Sequence, residues 1–102
     1  MSILSDYKVL ELTEVFQGPV AGQVLADYGA EVIKVEKPQG GDIFRSTDIY
    51  GLKNNCLSSH FAGANRNKKS ICIDITTDEG KEVLMALVKD CLLYTSDAAD
   101  DN

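Results

Sequence analysis

Lys8-Val9-Leu10-Glu11-Leu12 is followed by Gln17-Gly18-Pro19-Val20-Ala21-Gly22-Gln23-Val24-Leu25-Ala26-Asp27-Tyr28-Gly29 and then by Glu31-Val32-Ile33-Lys34-Val35-Glu36. The first run reads as a short strand. Thr13 to Gly18 is a loop, and Pro19 suits the first turn of a helix, where its missing N–H is not needed. Val20, Val24, Leu25 and Tyr28, with Ala21 beside them, recur at helical spacing and predict the buried stripe. Gly29 stands where a left-handed helix stop belongs. The run from Glu31 to Glu36 is a second strand. Strand, helix and strand in about thirty residues make a βαβ unit, which implies a parallel strand pair and an α/β fold.

Downstream, Lys37 to about Asn55 reads as a connection broken by Pro38, Gly40 and Gly41, with Phe44, Ile49 and Tyr50 apolar enough to pack it down. Cys56 to Ala64 suits a short helix carrying Leu57, Phe61 and Ala64 on one side. Asn65-Arg66-Asn67-Lys68-Lys69 is polar and turn-like. In Ser70 to Ile75, Ile71, Ile73 and Ile75 share one face of a third strand and Cys72 and Asp74 the other. Thr76 with Glu79 three residues on has the capping-box pattern, with Val83, Leu84, Leu87 and Val88 as the buried stripe of the helix that follows. Gly80 inside that helix costs roughly 1 kcal/mol relative to alanine.

The chain has 102 residues, 44% of them hydrophobic and 25% charged, ordinary values for one small soluble domain. No apolar run approaches the length of a membrane span, and the N-terminus has no basic segment leading into an apolar one. Sixteen acidic residues against ten basic give a net charge of −6, the wrong sign for a phosphate-neutralising nucleic-acid binder. Cys56, Cys72 and Cys91 are odd in number with no C-x-x-C pair, which argues against a disulfide framework and a zinc site and for a reducing, cytoplasmic setting. His60, the single histidine, has Ser58 and Ser59 beside it and reads as a structural or solvent-facing residue.

Two features invite a ligand. Gln17-Gly18-Pro19-Val20-Ala21-Gly22 carries two of the three glycines of a dinucleotide fingerprint, and Glu36 ends the second strand where a ribose-binding acid would stand. An NAD- or FAD-binding Rossmann module is therefore one alternative. Arg66, Lys68 and Lys69 form the dense basic cluster, read either as a solvated turn or as a phosphate contact. An interaction module without chemistry, using the exposed face of the third strand, is the remaining alternative.

Val9-Leu10-Glu11-Leu12 and the continuous run from Gln17 to Glu36 resemble the opening of the family III CoA-transferases. Gly40-Gly41-Asp42 with Arg45, Asn65-Arg66-Asn67-Lys68-Lys69-Ser70-Ile71, and Ile73-Asp74-Ile75 leading to Asp78-Glu79-Gly80 extend the resemblance to Asp90. It implies the Rossmann-like βαβ start of a large domain, truncated here. It implies coenzyme A, bound as an acyl-CoA substrate without a metal, a carboxylic acid as the second substrate, and an interlocked homodimer of the full-length protein. By position, Phe16 and Gln17 lie along the CoA, Lys37 packs on its adenine, and Ile73, Asp74, Ile75 and Thr76 sit at its nucleotide end. Lys37 stands where arginine is frequent, Thr76 where some members carry lysine, and Phe16 where some carry a polar residue.

The family's chemistry uses an aspartate that attacks the acyl-CoA thioester, giving a mixed anhydride and then an enzyme–CoA thioester. That aspartate belongs beyond the end of this chain, so none of the residues present is expected to be catalytic. The related α-methylacyl-CoA racemases, which use an acid/base pair, are the alternative within the family.

Cys91 to Asn102 continues no pattern. It reads either as a native acidic tail or, from its resemblance to translated sequencing adapter, as non-native sequence. The expected division is therefore residues 1–90 as the N-terminal part of the large domain and 91–102 as the tail. Without Asp97, Asp100 and Asp101, thirteen acidic residues face ten basic ones, a net charge of −3.

Overall fold

A computed structural model describes residues 3–48, 53–54, 57–91 and 93–96. Ile49, Tyr50, Cys56, Leu92 and the last six residues lie outside them. The elements are β1 (Lys8–Leu12), α1 (Gln17–Asp27), β2 (Glu31–Glu36), a 3₁₀ turn (Ile43–Ser46), α2 (Ser59–Asn65), β3 (Lys69–Cys72), α3 (Asp78–Asp90) and β4 (Leu93–Ser96). All strand pairs are parallel, in the order β3-β2-β1-β4. In β1 and β2, Val9 faces Val32, Leu10 faces Ile33 and Glu11 faces Lys34. This is the mixed α/β arrangement expected from the βαβ spacing, and the Rossmann-like start that the resemblance implies. The strand order doubles back at β1, from which one connection leads to β2 and β3 and another strand, β4, joins the opposite side.

Each sheet face has its own core. Val9 and Val32 pack with Ala26 and Ala30 on the α1 side, with Leu4 and Leu25 at the margin. Leu10, Val35 and Ile73 pack with Leu84, Leu87 and Val88 on the α3 side. The alternation that sends Val9 one way and Leu10 the other is the period of a strand.

Helix α1 buries a different stripe from the one its spacing predicts, whereas α3 departs from its expected stripe at Val83 alone. In α1 the buried residues are Pro19, Gly22, Gln23 and Ala26, while Val24 and Tyr28 are 48% and 55% exposed. Small residues let this helix approach the sheet. A Cβ on Gly22 would lie 1.7 Å from Glu11 Oε1. Leu25 does join the core, and Gly29, at φ 105°, supplies the expected stop. In α3, Val83 is exposed and only Leu84, Leu87 and Val88 face the sheet.

The third strand ends at Cys72, earlier than its isoleucine alternation suggests. Ile73 is still held by its N–H to the Glu36 carbonyl at 3.0 Å, but Ile75 is exposed beyond the strand. The α3 cap is Thr77, whose hydroxyl accepts from the Gly80 N–H at 3.0 Å; Thr76 is turned to Asp74 instead. Gly80 is required by a close approach, since a Cβ there would meet the Asp74 carbonyl oxygen at 1.7 Å. In α2, Phe61 and Ala64 are buried as expected, whereas Leu57 precedes the helix and is exposed. His60 is exposed, with Nδ1 at 2.6 Å from the Thr47 hydroxyl. Past Cys91, where no continuing pattern is expected, Leu93–Ser96 adds β4 alongside β1, using residues that favour extended backbone.

Candidate functional site

The carboxyl ends of β1, β2 and β3 open onto a cavity of about 510 Å³. Leu12, Thr13 and Glu14 come from β1 and its exit, Val35 to Pro38 from the end of β2, and Ile73 to Thr76 from the exit of β3. Leu84 of α3 and Asp42 complete the wall. Ligand sites in open α/β sheets gather at this edge because the strands end together and the loops diverge there.

Five of the seven expected cofactor residues meet at this cavity: Lys37, Ile73, Asp74, Ile75 and Thr76. Phe16 and Gln17 do not line it. Phe16 is the residue before α1, half-exposed, with its ring 6.4 Å from that of Phe44, and Gln17 opens the helix. Lys37 Nζ lies 3.4 Å from Glu14 Oε1, which also accepts the Ile43 N–H at 3.1 Å. Asp74 accepts the Thr76 N–H at 3.0 Å and its hydroxyl at 2.5 Å; these bonds hold its carboxyl below its usual pKa.

Behind the cavity, on the α1 side of the sheet, lies a buried ionic layer that the sequence reading missed. Glu11, Lys34 and Asp42 are at most 1% exposed. Lys34 Nζ donates to Glu11 Oε2 at 3.1 Å and to the Thr13 carbonyl at 2.8 Å, and lies 2.9 Å from Asp42 Oδ2. Lys68 Nζ, also buried, lies 2.7 Å from Glu11 Oε1 and donates to the Pro19 carbonyl and Asn65 Oδ1. Asp42 Oδ1 accepts the N–H groups of Val15 and Phe44, tying the loop after β1 to the loop after β2. Val15 is held there at φ 75°, costly for a β-branched residue. The available signal was alternation: Glu11, Lys34 and Glu36 share the face of Val9 and Val32.

This layer corrects the reading of the basic cluster. Arg66 pairs with Asp27 at 2.7 Å, Lys69 with Glu31, and Lys68 with Glu11. Arg66 and Lys69 keep the solvated-turn reading, 59% and 70% exposed with their acids beside them, while Lys68, 2% exposed, departs from both readings as a buried structural cation. The cluster's partners gain in turn: Arg66 lowers the Asp27 pKa and Lys69 that of Glu31.

Glu36 is likewise committed. Burial alone would raise its pKa, but bonds from Arg45 (2.7 and 2.8 Å), the Ser70 hydroxyl and the Asp42 N–H outweigh it and lower the value to about 2. Arg45 also stacks over Phe61 at 3.7 Å. Both carboxylate oxygens of Glu36 are engaged, so it is not positioned to receive a ribose, and the dinucleotide reading loses its acid.

With this geometry in view, comparison with known proteins decides the family. The family model described as CoA-transferase family III matches residues 4–95. The chain belongs to CoA-transferase family III. It is 41% identical over 91 residues to the succinyl-CoA:mesaconate CoA-transferase of Haloarcula hispanica, covering 87% of this chain and 23% of that protein. It is 44% identical over 88 residues to the formyl-CoA:oxalate CoA-transferase of Afipia carboxidovorans, covering 86% and 20%. A CAIB/BAIF family protein from Brucella suis has a crystal structure that superposes with a TM-score of 0.82 at 37% identity, covering 93% of this chain and 25% of that one. A hypothetical protein of Mycobacterium tuberculosis gives 0.81 at 38%, covering 92% and 25%. This family III chain therefore spans a quarter or less of the length of these relatives.

Among its described residues no group of histidines, cysteines and acids is arranged to hold a metal ion, and no helix is long and apolar enough to cross a membrane.

Proposed function

We propose that this chain forms the coenzyme A-facing start of an enzyme that moves CoA from an acyl-CoA thioester to a free carboxylic acid. The observation that carries the reading is the convergence of Lys37 and Ile73 to Thr76 on one cavity at the strand ends of a family III chain. In this reading the cavity takes the nucleotide end of CoA, Lys37 offers charge and cover to the adenine, and Phe16 and Gln17 lie farther along the cofactor. Asp27, Asp42 and Asp74 are not nucleophiles. Asp27 is paired to Arg66, Asp42 is buried on Lys34, and Asp74 is held by Thr76.

The aspartate that would form the anhydride and the CoA thioester is placed in sequence beyond Asp90, as is the surface of an interlocked homodimer. Residues 1–90 are the native domain start in this reading, 91–102 a non-native tail, and the compartment is the cytoplasm. The 102 residues alone then carry no exchange activity. The test is a complete family III enzyme whose first 90 residues are replaced by these. With acyl-CoA and an acceptor acid it should transfer CoA and accumulate a CoA thioester on the enzyme, while the short chain does neither. Turnover by the short chain above a boiled control, or a folded chimera that fails to bind CoA esters, overturns the proposal.

A further inference from the structure

The cavity is poorly charged for an anionic ligand. Among the described residues lining it, Lys37 is the one cation, against Glu14, Glu36, Asp42 and Asp74. Glu36 and Asp42 are neutralised from behind by Arg45 and Lys34. Lys37 is not waiting for a ligand, because its ammonium lies 3.4 Å from the Glu14 carboxylate. Glu14 is in turn steadied by the Ile43 N–H at 3.1 Å, so the acid is held where the exits of β1 and β2 meet. Both side chains are about half exposed, Lys37 at 55% and Glu14 at 44%, so the pair can open without unfolding anything.

We propose that Glu14 is a built-in competitor for Lys37, setting how strongly this cavity binds the anionic part of its ligand. The proposal rests on the reading that the cavity takes CoA. A phosphate-bearing ligand must draw Lys37 away from Glu14, or bind without it and beside an uncompensated carboxylate. Either route weakens binding of a polyanion and leaves a neutral ligand unaffected. Glu14 therefore acts on selectivity between charged and uncharged ligands.

Glu14→Gln removes the charge and keeps an amide oxygen that can still accept the Ile43 N–H. The experiment titrates a complete family III enzyme carrying residues 1–90 of this chain, and its E14Q, K37M and E14Q/K37M variants, with free CoA and with uncharged adenosine, at low and high salt. E14Q should tighten CoA binding about three- to tenfold at low salt, shrinking to less than about twofold near 0.5 M salt. Adenosine affinity should not change. In the K37M background the E14Q gain should fall below about twofold, because the competed-for cation is gone.

Wild-type CoA binding that E14Q leaves unchanged overturns the proposal while the CoA reading stands. A gain that persists undiminished in K37M, or that appears equally with adenosine, also overturns it. No saturable CoA binding by any of the four proteins removes the CoA reading, and the proposal with it.

Discussion

Lys68→Met separates a buried structural cation from a surface one. The Lys68 side chain is 2% exposed, and its ammonium meets Glu11, the Pro19 carbonyl and Asn65 Oδ1 at 2.7 to 2.8 Å. Burial pushes its pKa down, opposed by Glu11, so the charge is tolerated only because its partners surround it. Methionine keeps much of the apolar stem but leaves Glu11, 0% exposed, with Lys34 as its remaining counter-ion. Breaking a buried pair by removing one partner costs about 3–5 kcal/mol. Allowing for the retained stem, we expect a loss of about 3 kcal/mol, or a fall in Tm of roughly 12 °C or more for a domain of this size. Thermal and denaturant unfolding followed by circular dichroism measure it. Adding Glu11→Gln removes the uncompensated acid, so the double variant should be more stable than Lys68→Met alone. A single variant within about 0.5 kcal/mol of wild type, as surface changes give, would refute the buried-ion account.

Three further outcomes follow from the same geometry. The Glu36 pKa is about 2 in the fold against 4.5 ordinarily, so its contribution is fully present above pH 4.5 and is lost as pH falls toward 2. That contribution amounts to about 3 kcal/mol. Denaturant unfolding between pH 7 and pH 3 should show Glu36→Gln less stable at neutral pH and flatter on the acid side; parallel curves would contradict this. Gly80→Ala should destabilise by about 1–3 kcal/mol through the clash with the Asp74 carbonyl, although helix propensity alone predicts a gain of about 1. A raised Tm would mean that the approach is not tight. In a complete enzyme carrying this segment, Lys37→Glu should weaken CoA-ester binding by about 5- to 30-fold while the acceptor acid's KM moves much less; affinity within twofold of wild type would make Lys37 a surface residue.

The order of elements was legible because strand alternation, Pro19, Gly29 and the helix caps are local signals. Helix faces were less so. In α1 the apolar Val24 and Tyr28 lose the sheet-facing positions to Gly22, Gln23 and Ala26, since close packing against Glu11 favours a small side chain over a hydrophobic one. Neither the acid pairing of Arg66, Lys68 and Lys69 nor the burial of Lys34 is visible in spacing. Apart from Asp42, eight residues from Lys34, their acid partners are 23 to 57 residues away and meet only once the sheet has formed. The cavity residues from Lys37 and Ile73 to Thr76 were found through family resemblance, and their convergence follows from three parallel strands ending together. Glu14 was missed because nothing local marks an acid as the partner of a lysine two elements later.

The most direct measurement is an amide chemical-shift titration of the isotope-labelled chain with CoA, and separately with NAD. Binding at the strand-end cavity predicts saturable shifts with CoA concentrated at Thr13 to Gln17, Lys37 and Ile73 to Thr76, and no comparable response to NAD. Shifts centred instead on Arg66 to Lys69, or an equal response to NAD, would contradict it.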